Sequence, residues 1–224
     1  MDYIVNLVLP VVLVMISAII HEVAHGWVAY KCGDSTAKEA GRLTLNPMAH
    51  IDPFGSIVLP LLMSMTGGPV FAFAKPVPYN PYRLKNPKRD EVLVALAGPL
   101  SNLIQAIFGA LLFRLIQASM VSSMNYDLIM VYYVLQKILL TYVIVNLSLM
   151  FFNLIPLPPL DGSSLISVFL KPEQMASYYK VQSYSMPILL VALFILPSVF
   201  HIDPIGAYLD TCVFGLAELL LGLV

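Results

Sequence analysis

The sequence predicts an all-α polytopic membrane protein with about five transmembrane helices, a re-entrant segment and a short membrane-associated β element. Hydrophobic residues make up 59% of the 224-residue chain and charged residues only 11%, which is typical of chains that cross a bilayer several times. Long apolar runs recur along the chain, and most basic residues lie in the loops between them. The net charge of −1 gives no reason to expect nucleic acid as a partner.

Five apolar segments are long enough to cross about 30 Å of hydrocarbon as helices. The first continues directly into the sequence HEVAH, so no separate cleavable signal is expected. The fourth is short for a complete crossing. The predicted spans are residues 4–30, 92–118, 128–157, 184–200 and 206–224.

A sixth apolar segment, residues 55–65, is too short to cross comfortably and contains Pro60. If it dips in and returns, the basic loops on both sides of it are cytoplasmic, as the positive-inside rule favours. Ten of the twelve Lys and Arg residues then share that side, the exceptions being Arg114 and Lys137. The N-terminus is then outside and the C-terminus inside. Because irregular backbone at membrane depth needs protein or water to cover it, a re-entrant segment implies an internal cavity.

The sequence HEVAH, residues 21–25, is the first candidate for a site. His21 and His25 are four residues apart, so on a helix they share a face and can bind one metal ion, with Glu22 beside it. Placing imidazoles and carboxylates in hydrocarbon costs free energy, which favours a functional role for these residues. The alternative is a helix end whose polar residues lie at the lipid headgroups. A catalytic zinc usually takes three protein ligands and water, so a third ligand has to come from elsewhere.

The third span ends in NLIPLPPLDG, residues 153–162, on the same predicted side as HEVAH. Its three prolines break the helix and leave Asp161 able to point inward. Asp-Gly is also a turn signal, and that alternative stays open. Cys32 and Cys212 fit neither a disulfide framework nor a cysteine zinc site, and we interpret them as unpaired apolar residues.

Three motifs together resemble the site-2 protease family of intramembrane zinc metalloproteases: HEVAH in an apolar helix, AGPLSN at residues 97–102, and NLIPLPPLDG. The stretch NPMAHIDPFG, residues 46–55, is similar to that of the family's compact members. The resemblance covers about residues 15–165 in order.

That resemblance implies a single integral-membrane metalloprotease domain, residues 1–224. Its core is expected at residues 4–165, with two C-terminal helices at residues 184–224. We find no inserted PDZ domain and no appended regulatory domain in the sequence.

By the resemblance, His21, His25 and Asp161 are the ligands of one zinc ion per chain, and Glu22 is the catalytic acid–base. Zinc lowers the pKa of bound water and polarises the scissile carbonyl. Glu22 would take the water proton and later deliver it to the leaving amine. Asn153 matches a family asparagine implicated near the reacting carbonyl, where its amide could donate to the oxyanion. The alternative is a packing asparagine that satisfies carbonyls freed by Pro156.

His50 is the most tempting candidate for an extra metal ligand. Its motif HIDPFG is echoed by HIDPIG at residues 201–206, and in both copies an Asp and a Pro precede an apolar helix. We therefore favour helix capping for both copies, with a role for His50 beside the ligands as the alternative. Asn102 could hydrogen-bond within the helix bundle, and its role is left open. Gly98, next to Pro99, is interpreted as a close-packing kink.

Residues 70–74 alternate small or branched side chains with aromatic ones, as a short strand would. A strand edge offers backbone hydrogen-bond partners to an unwound substrate. Family members are similar in having a membrane-associated β element here that holds substrate extended. The alternative is a plain hairpin that packs the basic loop against the membrane. The residues proposed to pair with substrate are Val70, Phe71, Ala72, Phe73 and Ala74.

The expected function is that of a zinc metalloendopeptidase of the HExxH type. It would act in the lipid bilayer on transmembrane or membrane-associated protein substrates. We expect it in the cell membrane, with the mouth of the active site cytoplasmic. A metal-binding or transport protein is the rival, but its ionisable residues should lead across the bilayer, whereas here they cluster at one depth. A catalytically silent scaffold is a further alternative, against which the intact HExxH motif and Asp161 argue.

Overall fold

A computed structural model of the protein describes residues 2–52, 75–121 and 126–223. Within these ranges the secondary structure is helical, and no strand is present. Short 3-10 turns cover Pro47–Ala49 and Pro81–Arg83, and a π-helical turn covers Val191–Ile195. The helices of the described residues are α1 (Asp2–Lys31), α2 (Thr36–Glu39), α3 (Pro87–Val121), α4 (Tyr126–Asn153), α5 (Asp161–Phe169), α6 (Pro172–Leu190), α7 (Leu196–Phe200) and α8 (Pro204–Leu221).

Five helical segments of the described chain are long and apolar enough to cross a membrane, which confirms the predicted polytopic all-α class. Large apolar side chains on their outer faces are exposed, as expected of surfaces that contact lipid. The predicted re-entrant segment at residues 55–65 and the predicted β element at residues 70–74 lie outside the described residues. The five segments are Val8–Lys31, Pro87–Ser119, Leu128–Asn153, Gln182–Phe200 and Pro204–Leu221.

Helix α3 is the centre of the bundle and packs against α1, α4, α5 and α8. Small residues on α3 let its neighbours approach closely: a Cβ added to Gly109 would lie 2.9 Å from Tyr142 of α4. Apolar side chains of α3, α4 and α8 form the main buried cluster. Its members are Ala106, Ala110, Phe113, Val143, Leu147, Met150, Val213, Ala217 and Leu221.

Helix α8 runs parallel to α3, which reverses the predicted position of the C-terminus. Near its start, the Tyr208 hydroxyl donates to the Phe151 carbonyl at the end of α4, over 3.3 Å. Near its end, the Arg114 guanidinium donates to the Leu219 carbonyl over 3.0 Å. Arg114 lies about 24 Å further along α3 than Gly98, which packs against HEVAH. The end of α8 is therefore far from HEVAH, and the prediction that it shares the side of the active-site mouth is wrong for this structure.

The start of α8 confirms the capping prediction for the second HIDP motif. The Asp203 carboxylate accepts a hydrogen bond from the Gly206 N–H over 2.7 Å, and Pro204 occupies the first helical position. In the first copy, the residues that follow Asp52 lie outside the described ranges, so capping there stays a prediction.

Candidate metal centre

Side chains from two distant parts of the sequence meet at one point of the bundle. His21 and His25 lie on one face of α1, and their Nε2 atoms are 3.0 Å apart. Asp161, the first residue of α5, places one carboxylate oxygen 3.1 Å from Nε2 of His21 and the other 3.3 Å from Nε2 of His25. These are the three residues that the sequence analysis assigned to one zinc ion. Among the described residues they form the group that could hold a metal ion.

The sequence after α4 explains how Asp161 reaches the two histidines. Helix α4 ends at Asn153, shortly before Pro156, because a proline disfavours helical backbone just before it. Gly162 then packs against the backbone of residues 154–155, which follow α4. A Cβ at this position would lie 2.6 Å from the Ile155 carbonyl oxygen, so a side chain is excluded. The Asp-Gly pair therefore begins helix α5 in close contact with the backbone that follows α4, and the alternative of an isolated turn is not what the structure contains.

Each imidazole is held from behind through its Nδ1 atom. His25 Nδ1 lies 2.6 Å from the carbonyl oxygen of Val94, which can only accept a hydrogen bond. The His25 proton is therefore on Nδ1, and Nε2 carries a lone pair. His21 Nδ1 lies 2.6 Å from Oδ1 of Asn102. With a donating Nδ1 on both rings, both Nε2 atoms point lone pairs at Asp161.

The Asp161 carboxylate is an acceptor as well. An ionised carboxylate has no proton to donate and can only accept hydrogen bonds or bind a cation. The Oδ2 atom of Asp161 is buried and has no hydrogen-bond donor. Acceptor atoms of three residues, two ring nitrogens and the two carboxylate oxygens, thus face one another at 3.0–3.3 Å. Around a tetrahedral zinc with bonds of 2.0–2.1 Å, ligand atoms are about 3.3–3.4 Å apart, so the donor set and its spacing fit this ion.

Gly98 of α3 forms the wall opposite these acceptor atoms. A Cβ at this position would collide with Nε2 of both histidines and would lie 2.5 Å from Cε1 of His21. The missing side chain therefore leaves the space in front of the ligand atoms open. The sequence around Gly98 indicates only a packing kink, because nothing local to AGP indicates which groups of another helix lie against it.

Glu22 is next to the ligands in sequence and is held by a separate contact. Its Oε2 atom accepts a hydrogen bond from the Val77 backbone N–H over 2.7 Å. Val77 lies between Pro76 and Pro78, which have no N–H, so it is the one amide donor of this tripeptide. A lone N–H between two prolines is a signal that sequence analysis could have used and missed.

The segment formed by residues 75–77 is fixed against Glu22 by its other backbone groups. The buried Arg42 side chain donates to the carbonyls of Lys75 and Pro76, over 2.7 and 3.4 Å. The Lys75 N–H donates to the His50 carbonyl over 2.9 Å. In the sequence, Arg42 is recognisable only as a basic loop residue, since its acceptors lie beyond the apolar segment that follows.

The remaining predicted site residues have other contacts. His50 is 1% exposed, and its ring Nε2 lies 2.7 Å from the Thr44 carbonyl oxygen; none of its described contacts is with a ligand. The Asn153 amide donates to the Leu149 carbonyl of its own helix over 3.0 Å, which is not a carbonyl freed by Pro156. Its place at an oxyanion stays a prediction, as does substrate pairing by residues 70–74, which are outside the described ranges.

Two histidines and a carboxylate converge within a bundle of apolar helices, and a glutamate lies beside them. This arrangement defines the class of membrane metallohydrolases. The chain belongs to peptidase family M50, whose family model matches residues 10–196. This is the site-2 protease family that the sequence motifs resemble. The protein is thus a membrane metalloprotease.

The chain is similar to curated relatives from bacteria. It is 40% identical over 201 residues to "Putative zinc metalloprotease YwhC" of Bacillus subtilis, covering 88% of this chain and 82% of that protein. It is 29% identical over 188 residues to "Putative zinc metalloprotease Rip2" of Mycobacterium tuberculosis, covering 82% of this chain and 65% of that protein. The chain thus spans just under two thirds of Rip2. No solved structure matches the chain.

Proposed function

We propose that the protein is an intramembrane zinc metalloendopeptidase of the HExxH type, which hydrolyses peptide bonds in or near transmembrane segments of membrane proteins. The observation that carries the proposal is the convergence of acceptor atoms from three residues, His21, His25 and Asp161, within an apolar bundle. Such atoms repel one another unless a cation lies between them. We assign these three residues as the ligands of one Zn²⁺.

When bound, zinc supplies a water of lowered pKa and polarises the scissile carbonyl. Glu22 acts as general base and takes the proton of the attacking water, then returns it to the nitrogen of the leaving amine. The Val77 N–H holds Oε2 of Glu22, which leaves Oε1 for the proton transfer. Asn153, through its second amide N–H, donates to the oxyanion that develops on the carbonyl.

Both the protein and its substrate lie in the lipid bilayer. We propose that residues 1–224 act as one domain in the cell membrane, with the N-terminus outside and the mouth of the active site cytoplasmic. The basic residues of the loops around the site support this orientation. A substrate helix has to unwind before hydrolysis, and residues 70–74 would pair with its freed backbone.

The proposal predicts variants that separate zinc binding from hydrolysis. Glu22→Gln should keep full zinc content and lose cleavage of membrane peptides, because it removes the base and no ligand. His21→Ala, His25→Ala and Asp161→Ala should lose both. Metal analysis of the purified proteins and mass spectrometry of the peptide products measure the two effects.

His201→Asn is the matched control, because His201 is exposed and far from the ligands in sequence, and asparagine tolerates its left-handed backbone. This variant should keep both zinc and activity. Full zinc occupancy in Asp161→Ala would refute the assignment of the third ligand and would make His50 the next candidate.

A further inference from the structure

A line of buried amides leads from α4 through α3 to His21 on α1. The Asn146 Nδ2 atom donates to the Tyr142 carbonyl over 2.9 Å. Asn102 Nδ2 donates to Asn146 Oδ1 over 3.0 Å, and Asn102 Oδ1 lies 2.6 Å from His21 Nδ1. Both asparagines are 0% exposed. We name Asn146 and Asn102 the amide relay.

The direction of every hydrogen bond in the relay follows from its first acceptor. A backbone carbonyl can only accept, so Asn146 must direct its NH₂ group at Tyr142 and its oxygen at Asn102. Asn102 must then direct its NH₂ group at Asn146 and its oxygen at His21. An amide oxygen cannot donate, so His21 Nδ1 carries the ring proton. The lone pair of His21 is thereby left on Nε2, which faces Asp161.

We propose that the amide relay selects the tautomer and the ring orientation in which His21 can bind zinc. Asn102 is then a positioning residue for the ligand, and Asn146 is a positioning residue that acts through Asn102. This inference rests on the proposed role of His21 as a zinc ligand. His25 obtains the same tautomer from a single backbone carbonyl, that of Val94, whereas His21 obtains it from side chains of two other helices.

The competing explanation is that the two amides merely hold α3 to α4. The chain contains a matched control for it, since buried Gln105 of α3 accepts a hydrogen bond from the Tyr142 hydroxyl of α4 over 2.8 Å. That contact joins the same two helices close to the relay, and no histidine takes part in it. Gln105→Leu therefore removes a buried interhelical hydrogen bond and leaves the relay intact.

The test measures the zinc dissociation constant of the full-length protein in detergent, by competition with a chromophoric chelator, together with its thermal unfolding. Asn102→Leu should weaken zinc binding by about 10- to 100-fold, the range typical of residues that orient a histidine ligand. Asn146→Leu should weaken it by a smaller factor, because Asn102 then loses the contact that fixes its direction. Gln105→Leu should bind zinc as tightly as the wild type.

Asn102→Asp supplies the rescue, because a carboxylate still accepts the Nδ1 proton of His21, and it should bind zinc more tightly than Asn102→Leu. Wild-type zinc affinity in Asn102→Leu, or equal losses in Asn146→Leu and Gln105→Leu, would overturn the relay. If Asn102→Leu does not fold, Asn146→Leu against Gln105→Leu decides. A wild-type protein that binds no zinc, or a His21→Ala variant that binds it normally, would instead refute the proposed function.

Discussion

Replacing Gly98 with alanine adds one methyl group to the open wall of the metal centre. That carbon would collide with Nε2 of His21 and His25 and would lie 2.5 Å from Cε1 of His21. Non-bonded carbon atoms pack at about 3.5–4.0 Å, so α3 would have to retreat by about 1 Å or both rings would have to turn away. Retreat is opposed because α3 packs against α1, α4, α5 and α8.

The size of the effect follows from the cost of overpacking, which is about 1–3 kcal/mol for added methylene-sized groups. If this cost falls on the ligand geometry, it corresponds to about a 5- to 150-fold loss of zinc affinity. Alanine also has a higher helix propensity than glycine, by about 1 kcal/mol. Gly98→Ala should therefore bind zinc more weakly. The stability of its zinc-free form should fall by less than the free energy of zinc binding does, because the higher helix propensity of alanine partly offsets the cost of overpacking.

The assay is a zinc titration with parallel thermal unfolding in detergent, with and without the metal. Gly215→Ala on α8 is the control, because a Cβ at Gly215 meets no atom within 4 Å, and it should leave zinc affinity unchanged. Wild-type zinc affinity in Gly98→Ala would refute the placement of Gly98 against the ligand atoms.

Three further predictions concern the loops and the orientation of the bundle. Arg42→Gln should release residues 75–77 and lower peptide cleavage about tenfold, equivalent to about 1.4 kcal/mol, with zinc content unchanged; normal cleavage would contradict the role of that segment in holding Glu22. Burial raises the pKa of the Asp34 carboxylate, but hydrogen bonds from Thr36 and from the Asn80 N–H outweigh burial and hold the pKa below its usual range. Its charge thus stabilises the fold above a pH of about 4, so Asp34→Asn should unfold at a lower temperature than the wild type at pH 7. The difference between the two unfolding temperatures should shrink as the pH falls below about 4. A difference that does not change with pH would contradict this. In a cysteine-free background, cysteines at Lys85 and Leu223 should react with an impermeant label from opposite faces of the membrane, and labelling from one face would show that α8 runs the other way.

The parts of the site that the sequence predicts well depend on local rules. The spacing of His21 and His25 determines that they share a helix face, whatever else the fold does. The proline-rich break after α4 and the glycine after Asp161 locally require a helix end and a close contact of backbones. Length and composition alone likewise predicted five spans.

The direction of α8 could not be predicted because the positive-inside rule requires basic residues near a segment, and this helix has none nearby. No Lys or Arg follows Lys180 in the sequence, so the positive-inside rule gives no direct orientation for the last apolar segment. The direction instead follows from packing, through the apolar cluster with α3 and α4 and the contact of Arg114 with the Leu219 carbonyl. Such contacts depend on how distant helices meet, which no local pattern encodes.

The amide relay lies between these two cases. A buried asparagine in an apolar helix already indicates a function, because hydrocarbon makes an unpaired amide costly. The short connection between α3 and α4 makes them antiparallel neighbours, so residues equally far from it lie at the same depth. Asn102 and Asn146 are each about 20 residues from that connection. The sequence alone therefore predicts that they lie at the same depth. The rotation of each helix about its axis could not be predicted, and it decides whether two amides at one depth meet. In the structure, α3 and α4 approach each other closely where Gly109 lies against Tyr142. The sequence therefore contains the members of the relay and their depth, and the tertiary packing supplies the contact that directs it to His21.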